Sequence, residues 1–139
     1  MASKIYPLGI QNMFKTVRHL EEAGMKVIIV DGTVTYDVAH DFLDDVSAGI
    51  VDGTAAIALT TPAVTVSTTT LKFDAADTGL TWAAVTDAND VGAAIVYNDT
   101  GTPATSSLIA FLDATDLVTN GSDVTLTFNA SGIFTIDCA

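Results

Sequence analysis

From residue 55 onward, short segments that favour β-strands alternate with segments that favour turns, and this alternation restricts the possible folds more than any other feature. The intervening segments are rich in Asp, Asn, Gly and Thr, which are the residues that stabilise turns. Short strands with turn signals about every 8–12 residues are typical of sandwiches and barrels. We therefore predict a mainly β fold, an antiparallel β-sandwich or barrel of about 7–8 strands. The predicted strands cover residues 55–60, 63–73, 80–85, 93–97, 107–112, 123–128 and 133–137.

Three local signals refine this prediction. Residues 27–30 form the run Val-Ile-Ile-Val, which is typical of a strand buried on both faces. Asp31-Gly32 then separates this run from the alternating residues 33–36, which indicates either a hairpin or a bend that leads away from the sheet. Pro62 has no N–H to donate, so we do not expect it in a central strand.

The N-terminal segment has the pattern of a helix. We predict an α-helix over residues 8–24, with Pro7 at a favourable first position and Gly24 just beyond the last turn. A second helix of one or two turns is predicted near residues 40–46. The length of 139 residues suits one domain, so we expect a single domain over 1–139. The apolar face of the first helix consists of Met13, Phe14, Val17 and Leu20.

The charge is strongly negative and unevenly distributed. Five Lys and Arg oppose seventeen Asp and Glu, for a formal net charge of −12. Four of the five basic residues lie within the first 26 positions, whereas Lys72 alone faces fifteen aspartates after them. Binding to nucleic acid or to an anionic membrane surface requires clustered Lys and Arg. We therefore expect no nucleic-acid partner and no membrane partner.

The residue types that catalyse reactions do not form a complete set in this sequence. The two histidines are His19, expected on the flank of the helix near its end, and His40, which precedes Asp41. A His–Asp pair can orient a base, but acyl transfer also needs a nucleophile and donors that stabilise an oxyanion. Ser106 and Ser107 lack the G-x-S-x-G turn that presents a nucleophilic serine. We therefore predict no catalytic residues and no enzyme activity.

Two aspartate-rich loops, residues 87–92 and 74–79, raise the question of calcium. The first begins like a calcium loop, but Val91 and Asn98 stand where an oxygen ligand and a bidentate Glu are needed, and the second fits less well. Aspartates in turns accept hydrogen bonds from the local backbone, which is the structural role we expect here. The single cysteine, Cys138, allows no intramolecular disulfide and no multi-cysteine zinc site. We predict no metal and no cofactor.

A set of segments, taken in their order along the chain, carries a family resemblance. The most specific is residues 96–111, where a hydrophobic strand, an Asp-Thr-Gly turn and a Ser-Leu-Ile-Ala strand follow one another. In this order the segments resemble a family of small virion-associated proteins of tailed bacteriophages, over nearly the whole chain from about residue 11. The resemblance implies a structural role in the virus particle and brings no catalytic motif with it. The segments are Val27–Asp31, His40–Val46, Phe73–Asp77, Ala94–Thr102, Ala104–Phe111, Asn120–Leu126 and Gly132–Phe134.

The expected function is that of a non-enzymatic structural protein of a tailed-phage virion. The small size and the Thr- and Ala-rich strands favour a capsid decoration or cement protein that binds the major capsid protein on the outer surface of the head. One alternative is a neck, tail or fibre-adaptor component that contacts other virion proteins. Another alternative, from a different class, is a carbohydrate-binding β-sandwich module, for which Trp82 and the aspartate-rich loops are the supporting features.

We further expect several copies to associate. A homo-oligomer, specifically a trimer on the local threefold axes of the head, fits the closed symmetry of small assembly proteins. Contacts between copies should use apolar and Thr-rich strand surface, or Lys15 and Arg18 against an acidic loop, because facing carboxylates would repel. The sequence contains no secretory signal and no apolar run long enough to span a membrane, so we expect assembly in the host cytoplasm and localisation in the virion.

Overall fold

The computed structural model describes residues 3–15, 19–21 and 23–137. In this part of the chain, ten strands accompany one α-helix and three short 3-10 helices, so the predicted mainly β, antiparallel fold is confirmed. The helices are α1 (Pro7–Lys15) and the 3-10 helices Leu43–Asp45, Ser47–Gly49 and Pro103–Thr105. The strands are β1 (Ser3–Ile5), β2 (Met25–Asp31), β3 (Ile57–Ala58), β4 (Thr60–Ser67), β5 (Thr70–Ala76), β6 (Thr81–Trp82), β7 (Val91–Asn98), β8 (Leu108–Leu117), β9 (Val124–Thr125) and β10 (Phe134–Asp137).

A five-stranded antiparallel sheet, in the order β1-β8-β7-β2-β3, forms the centre of the molecule. Successive side chains of a strand point to opposite faces, so β2 supplies both sides of this sheet. Met25, Val27 and Ile29 join one apolar cluster, whereas Ile28 and Val30 join a second cluster. The prediction that residues 27–30 form a strand buried on both faces is therefore confirmed.

Two smaller antiparallel sheets contribute to the first of these clusters. One has the order β10-β5-β4 and the other pairs β6 with β9. Phe73 of β5, Phe134 of β10 and Trp82 of β6 share a cluster with Met25 and Val27. The smaller sheets consequently cover one face of the central sheet. The strand orders are open and do not close into a barrel within the described residues.

The opposite face of the central sheet is covered by the loop that carries the first two 3-10 helices, whereas Ile10 of α1 packs on the first cluster. Tyr6, Leu43 and Val46 pack on this opposite face against residues of β2, β7 and β8. Gly9 is buried where α1 crosses β8, and a Cβ at this position would overlap the backbone carbonyl oxygen of Leu108. Glycine therefore permits the close approach of helix and strand.

The N-terminal helix is shorter than predicted. Helix α1 ends at Lys15, and the described residues among 19–24 lie outside any helix, so the expected end at residue 24 is wrong. Contacts with the smaller sheet replace the last turns, because the Glu21 carboxylate accepts a hydrogen bond from the Val64 N–H at 2.8 Å and Leu20 packs on the main core. Residues 16–18 and 22, and the side chains of residues 13–15, fall outside the described part of the chain.

Several strand predictions also need correction. Of the two alternatives at Asp31-Gly32, the bend is confirmed and the hairpin is wrong, since residues 33–36 form no strand and the two neighbours of β2 are β3 and β7. Residues 63–73 form a hairpin of β4 and β5 instead of one strand, and Thr68 in its turn has a φ of 53°. The short helix near residues 40–46 is a 3-10 helix over Leu43–Asp45. Pro62 lies in an edge strand at a register shift, as its missing N–H predicts.

Candidate interaction surface

His40 and Asp41, the two residues that suggested an acid–base pair, make packing and hydrogen-bonding contacts within the protein. The Asp41 carboxylate accepts a hydrogen bond from Asn12 Nδ2 at 3.4 Å, and His40 Nδ1 is buried with no hydrogen-bond partner among the described residues. Asp45 closes the first 3-10 helix by accepting the Asp41 N–H at 2.9 Å and the Phe42 N–H at 3.3 Å. Burial raises the pKa of Asp45, but these hydrogen bonds outweigh it and hold the pKa below its ordinary value. His19 is exposed and lies outside α1.

An aromatic cluster lies beneath His40. The Tyr6 ring is fully buried, with ring centroids 5.3 Å from Tyr36, 6.4 Å from Phe111 and 6.5 Å from His40. The Tyr6 hydroxyl has no hydrogen-bond partner among the described residues. Burial, assisted by Tyr36 and Asp45, raises the pKa of Tyr6 well above its ordinary value, so the phenol stays neutral. The cluster joins the connection between β1 and α1, where Tyr6 lies, to β8 and the 33–46 loop by packing.

The serines lie at the base of the 99–106 loop. Ser106 is fully buried, and its hydroxyl donates to the Thr102 carbonyl at 2.9 Å and accepts the Thr100 N–H at 3.0 Å. Asp99 anchors the start of the loop, since it accepts hydrogen bonds from the Lys26 ammonium and the Gly101 N–H. Lys26 first, and then Gly101, hold the pKa of Asp99 below its ordinary value. The hydroxyl of Ser106 therefore stabilises a loop, and no nucleophile–base pair is formed by these residues.

The aspartate-rich loops are held by hydrogen bonds within the protein. Asp87 accepts the backbone N–H groups of Asn89 at 2.9 Å and Asp52 at 3.1 Å, and Asp90 accepts the Thr119 N–H at 3.0 Å. The contact between Asp87 and Asn89 is of the local kind that we predicted for turn aspartates, whereas the contacts with Asp52 and Thr119 join this loop to distant parts of the chain. No group of three or more His, Cys, Asp and Glu side chains in the described part of the chain is placed to hold a metal ion.

Trp82 does not form a sugar-binding platform. Its side chain belongs to the main core with 5% of its surface exposed, and its indole N–H donates to the Ala55 carbonyl at 2.7 Å. Stacking on a sugar requires an accessible ring face, which Trp82 lacks. Of the two features that supported the carbohydrate-binding alternative, Trp82 is therefore a core residue.

The exposed apolar side chains of the three-stranded sheet form a row that the sequence analysis did not single out. Val64, Phe73 and Phe134 lie opposite one another and face the main core. One step further along the same face, Val66 pairs with Leu71, which pairs with Ile136. In this second row, 72% of Val66 and 41% of Ile136 are exposed. The sheet thus extends beyond the core and presents apolar side chains to solvent, on what we call the overhanging row (Val66, Leu71 and Ile136).

The other face of the same sheet is polar. Thr65, Lys72 and Thr135 lie opposite one another there, and the Lys72 ammonium is 3.0 Å from the Asp74 carboxylate. The alternation of Val and Thr along β4 was a readable sign of an amphipathic sheet. The sequence could not show that the second apolar row lies beyond the core, because that depends on how the three sheets pack.

A separate apolar cleft of about 340 Å³ opens beside the end of β8, near the exposed side chains of Leu117 and Val118. Its depth reaches Ile29 and Ala94, and Asp113 contributes a carboxylate to its lining. The remaining lining residues are Val91, Ala114, Leu117, Val124, Thr125 and Leu126.

Comparisons of the chain with protein-family models, with curated proteins and with solved structures find no match. Among the described residues, no helix has the length and apolar character needed to cross a membrane.

Proposed function

We propose that this chain is a non-enzymatic structural protein of a tailed-phage virion, a decoration or cement protein that binds the major capsid protein on the outer surface of the head. The observation that carries the proposal is the overhanging row, which displays apolar side chains on a hydrogen-bonded sheet. Exposed apolar patches on small proteins mark surfaces that contact other macromolecules. The resemblance of the segments, in their chain order, to virion-associated proteins of tailed phages supports a phage particle as the setting of that contact.

Two further features support an assembly role. The histidine, serine and aspartate side chains that suggested chemistry instead pack or hydrogen-bond within the protein. The packing of two smaller sheets on one face of the central sheet supports an antiparallel β-sandwich. Association of several copies with closed symmetry belongs to the same proposal.

The test is the stoichiometry of purified particles. We expect virions from the phage that encodes this chain to contain on the order of hundreds of copies per particle, as decoration of a symmetric shell requires. A stained gel calibrated against the major capsid protein measures that ratio. About six or twelve copies would instead support the neck or adaptor alternative, because those stations follow the symmetry of the tail. Absence of the protein from purified virions would overturn the proposal.

A further inference from the structure

We propose that two copies of this chain associate through the edge of β4 that no strand among the described residues pairs with, and that this edge pairs antiparallel with the same strand of the second copy, centred on Val66. The inference deepens the proposed function and rests on it for its biological purpose. Its physical argument uses only the edge, the overhanging row and the charge of the chain.

The register of β4 determines which backbone groups are free. The pairs from Ala63↔Asp74 to Ser67↔Thr70 are uninterrupted. The backbone N–H and carbonyl groups of successive residues in β4 therefore alternate between bonding to β5 and pointing away from it. The Val64 N–H donates to the Glu21 carboxylate, which shows that the backbone groups of Val64 point away from β5. Val66, two residues later, must then point its N–H and carbonyl in the same outward direction. These are the groups with which an edge strand pairs with another chain.

The charge distribution favours this edge for contact with a second copy. Each copy carries a net charge of −12, so approach through carboxylate-bearing surface is repulsive. The sequence of β4, Thr-Thr-Pro-Ala-Val-Thr-Val-Ser, contains no charged residue over eight positions, and the Glu21 carboxylate lies beside it only at the Val64 N–H, two residues before Val66. The other edge strands of the two larger sheets are less suitable, because β1 and β3 have three and two residues and β10 ends on Asp137.

The two ends of β4 set the extent of the contact. Pro62 and the register shift between Thr60 and Ala63 interrupt regular pairing at the start, and Glu21 occupies the Val64 N–H. At the other end, Thr68 turns the chain with a φ of 53°. Val66 is the outward-pointing position between these limits. A twofold axis perpendicular to the sheet at Val66 therefore gives a short pairing with one register.

The same axis joins the apolar surfaces of the two copies. Directly opposed residues of antiparallel strands have their side chains on the same face. Val66 of one copy would lie beside Val66 of the second, so the two overhanging rows become one apolar row across the pair. The contact satisfies free backbone groups and covers exposed apolar surface together, and it gives a pair of copies instead of the ring of three expected from the sequence.

Cross-linking tests the register directly. In a Cys138→Ser background, Val66→Cys should form a disulfide-linked dimer on mild oxidation, because hydrogen-bonded antiparallel partners have Cα atoms about 5.5 Å apart, within disulfide reach. Thr65→Cys in the same background is the matched control. Its equivalent in the second copy lies diagonally across the strands at roughly 7–8 Å, so cross-linking should be at least about tenfold less efficient. Equal or greater cross-linking at position 65 would overturn the pairing.

Solution mass tests the association itself. Light scattering of the purified full chain should give twice the chain mass of 14.4 kDa, whereas Val66→Asp should give the mass of one chain. Thr65→Asp places the same charge on the opposite face and should weaken association much less. Circular dichroism establishes that each variant is folded. If Val66→Asp fails to fold, the wild-type mass and the comparison of Val66→Cys with Thr65→Cys still test whether two copies pair through β4. A monomeric or trimeric wild-type chain would overturn the inference.

The outcomes separate this inference from the proposed function. A dimer that is absent from purified virions would contradict the virion role alone. A virion protein that is monomeric in solution and does not cross-link at position 66 on the particle would contradict the edge pairing alone.

Discussion

At the scale of single residues, Asp31 shows how a buried carboxylate favours the bend over the hairpin, the two alternatives that the sequence left open at Asp31-Gly32. Asp31 is 6% exposed, and its Oδ1 accepts the Thr33 N–H at 2.8 Å and the Thr33 hydroxyl, while Oδ2 accepts Asn89 Nδ2 at 3.3 Å. Burial raises its pKa, but the hydrogen bonds from Thr33 and Asn89 outweigh burial and hold the pKa below its ordinary value. The hydrogen bonds from Thr33 to the Asp31 carboxylate therefore stabilise the bend that takes the chain away from the sheet.

This pKa shift predicts an acid-sensitive contribution to stability. Because the folded-state pKa is lowered, the contribution is present above the unfolded pKa of roughly 3.9 and is lost as pH falls through the folded-state pKa. Asp31→Asn should lower the free energy of unfolding by about 1–2 kcal/mol at neutral pH, with the difference shrinking below about pH 4. Urea unfolding followed by tryptophan fluorescence at several pH values measures this. Exposed Asp113→Asn is the control, and a pH-independent difference would contradict the role of the charge.

At the scale of elements, the packing of α1 on β8 depends on Gly9. Alanine is the better helix former by about 1 kcal/mol, so propensity alone predicts that Gly9→Ala stabilises the protein. The structure predicts the opposite sign, because the new Cβ would overlap the Leu108 carbonyl and push α1 off the sheet. We expect a loss of about 1–3 kcal/mol in the free energy of unfolding, measured by chemical denaturation. The control Leu8→Ala, on the exposed side of α1, should change it little, and a stabilised Gly9→Ala would contradict the close approach.

The elements also show which parts of the fold the sequence could predict. The β-branched run of β2 and the Pro62 edge position follow from properties of those residues themselves, and both predictions are confirmed. The helix end at residue 24 is wrong because Glu21 and Leu20 make contacts with distant strands that no local pattern contains. The candidate surface was predictable in part. Alternation along β4 indicated an amphipathic strand, but the exposure of its second apolar row depends on sheet packing.

At the scale of the whole molecule, charge decides how salt affects association. Two copies with a net charge of −12 each repel at long range. This repulsion weakens an association that is made by backbone pairing and apolar side chains. The opposite mechanism would be attraction between the cationic residues Lys15 and Arg18 and an acidic loop of a second copy. The two mechanisms give opposite salt dependence, because screening weakens whichever electrostatic interaction dominates.

We therefore expect association to strengthen as sodium chloride rises from about 0.01 M to about 1 M, since the screening length falls from about 30 Å to about 3 Å over that range. Sedimentation equilibrium of the wild-type chain should show a dissociation constant that falls several-fold as repulsion is screened. A Lys15→Ala/Arg18→Ala variant should retain this trend, because the proposed contact uses neither side chain. Weaker association at high salt, abolished by that double variant, would show that the cationic segment makes the contact and would rule out pairing through β4 as its main source.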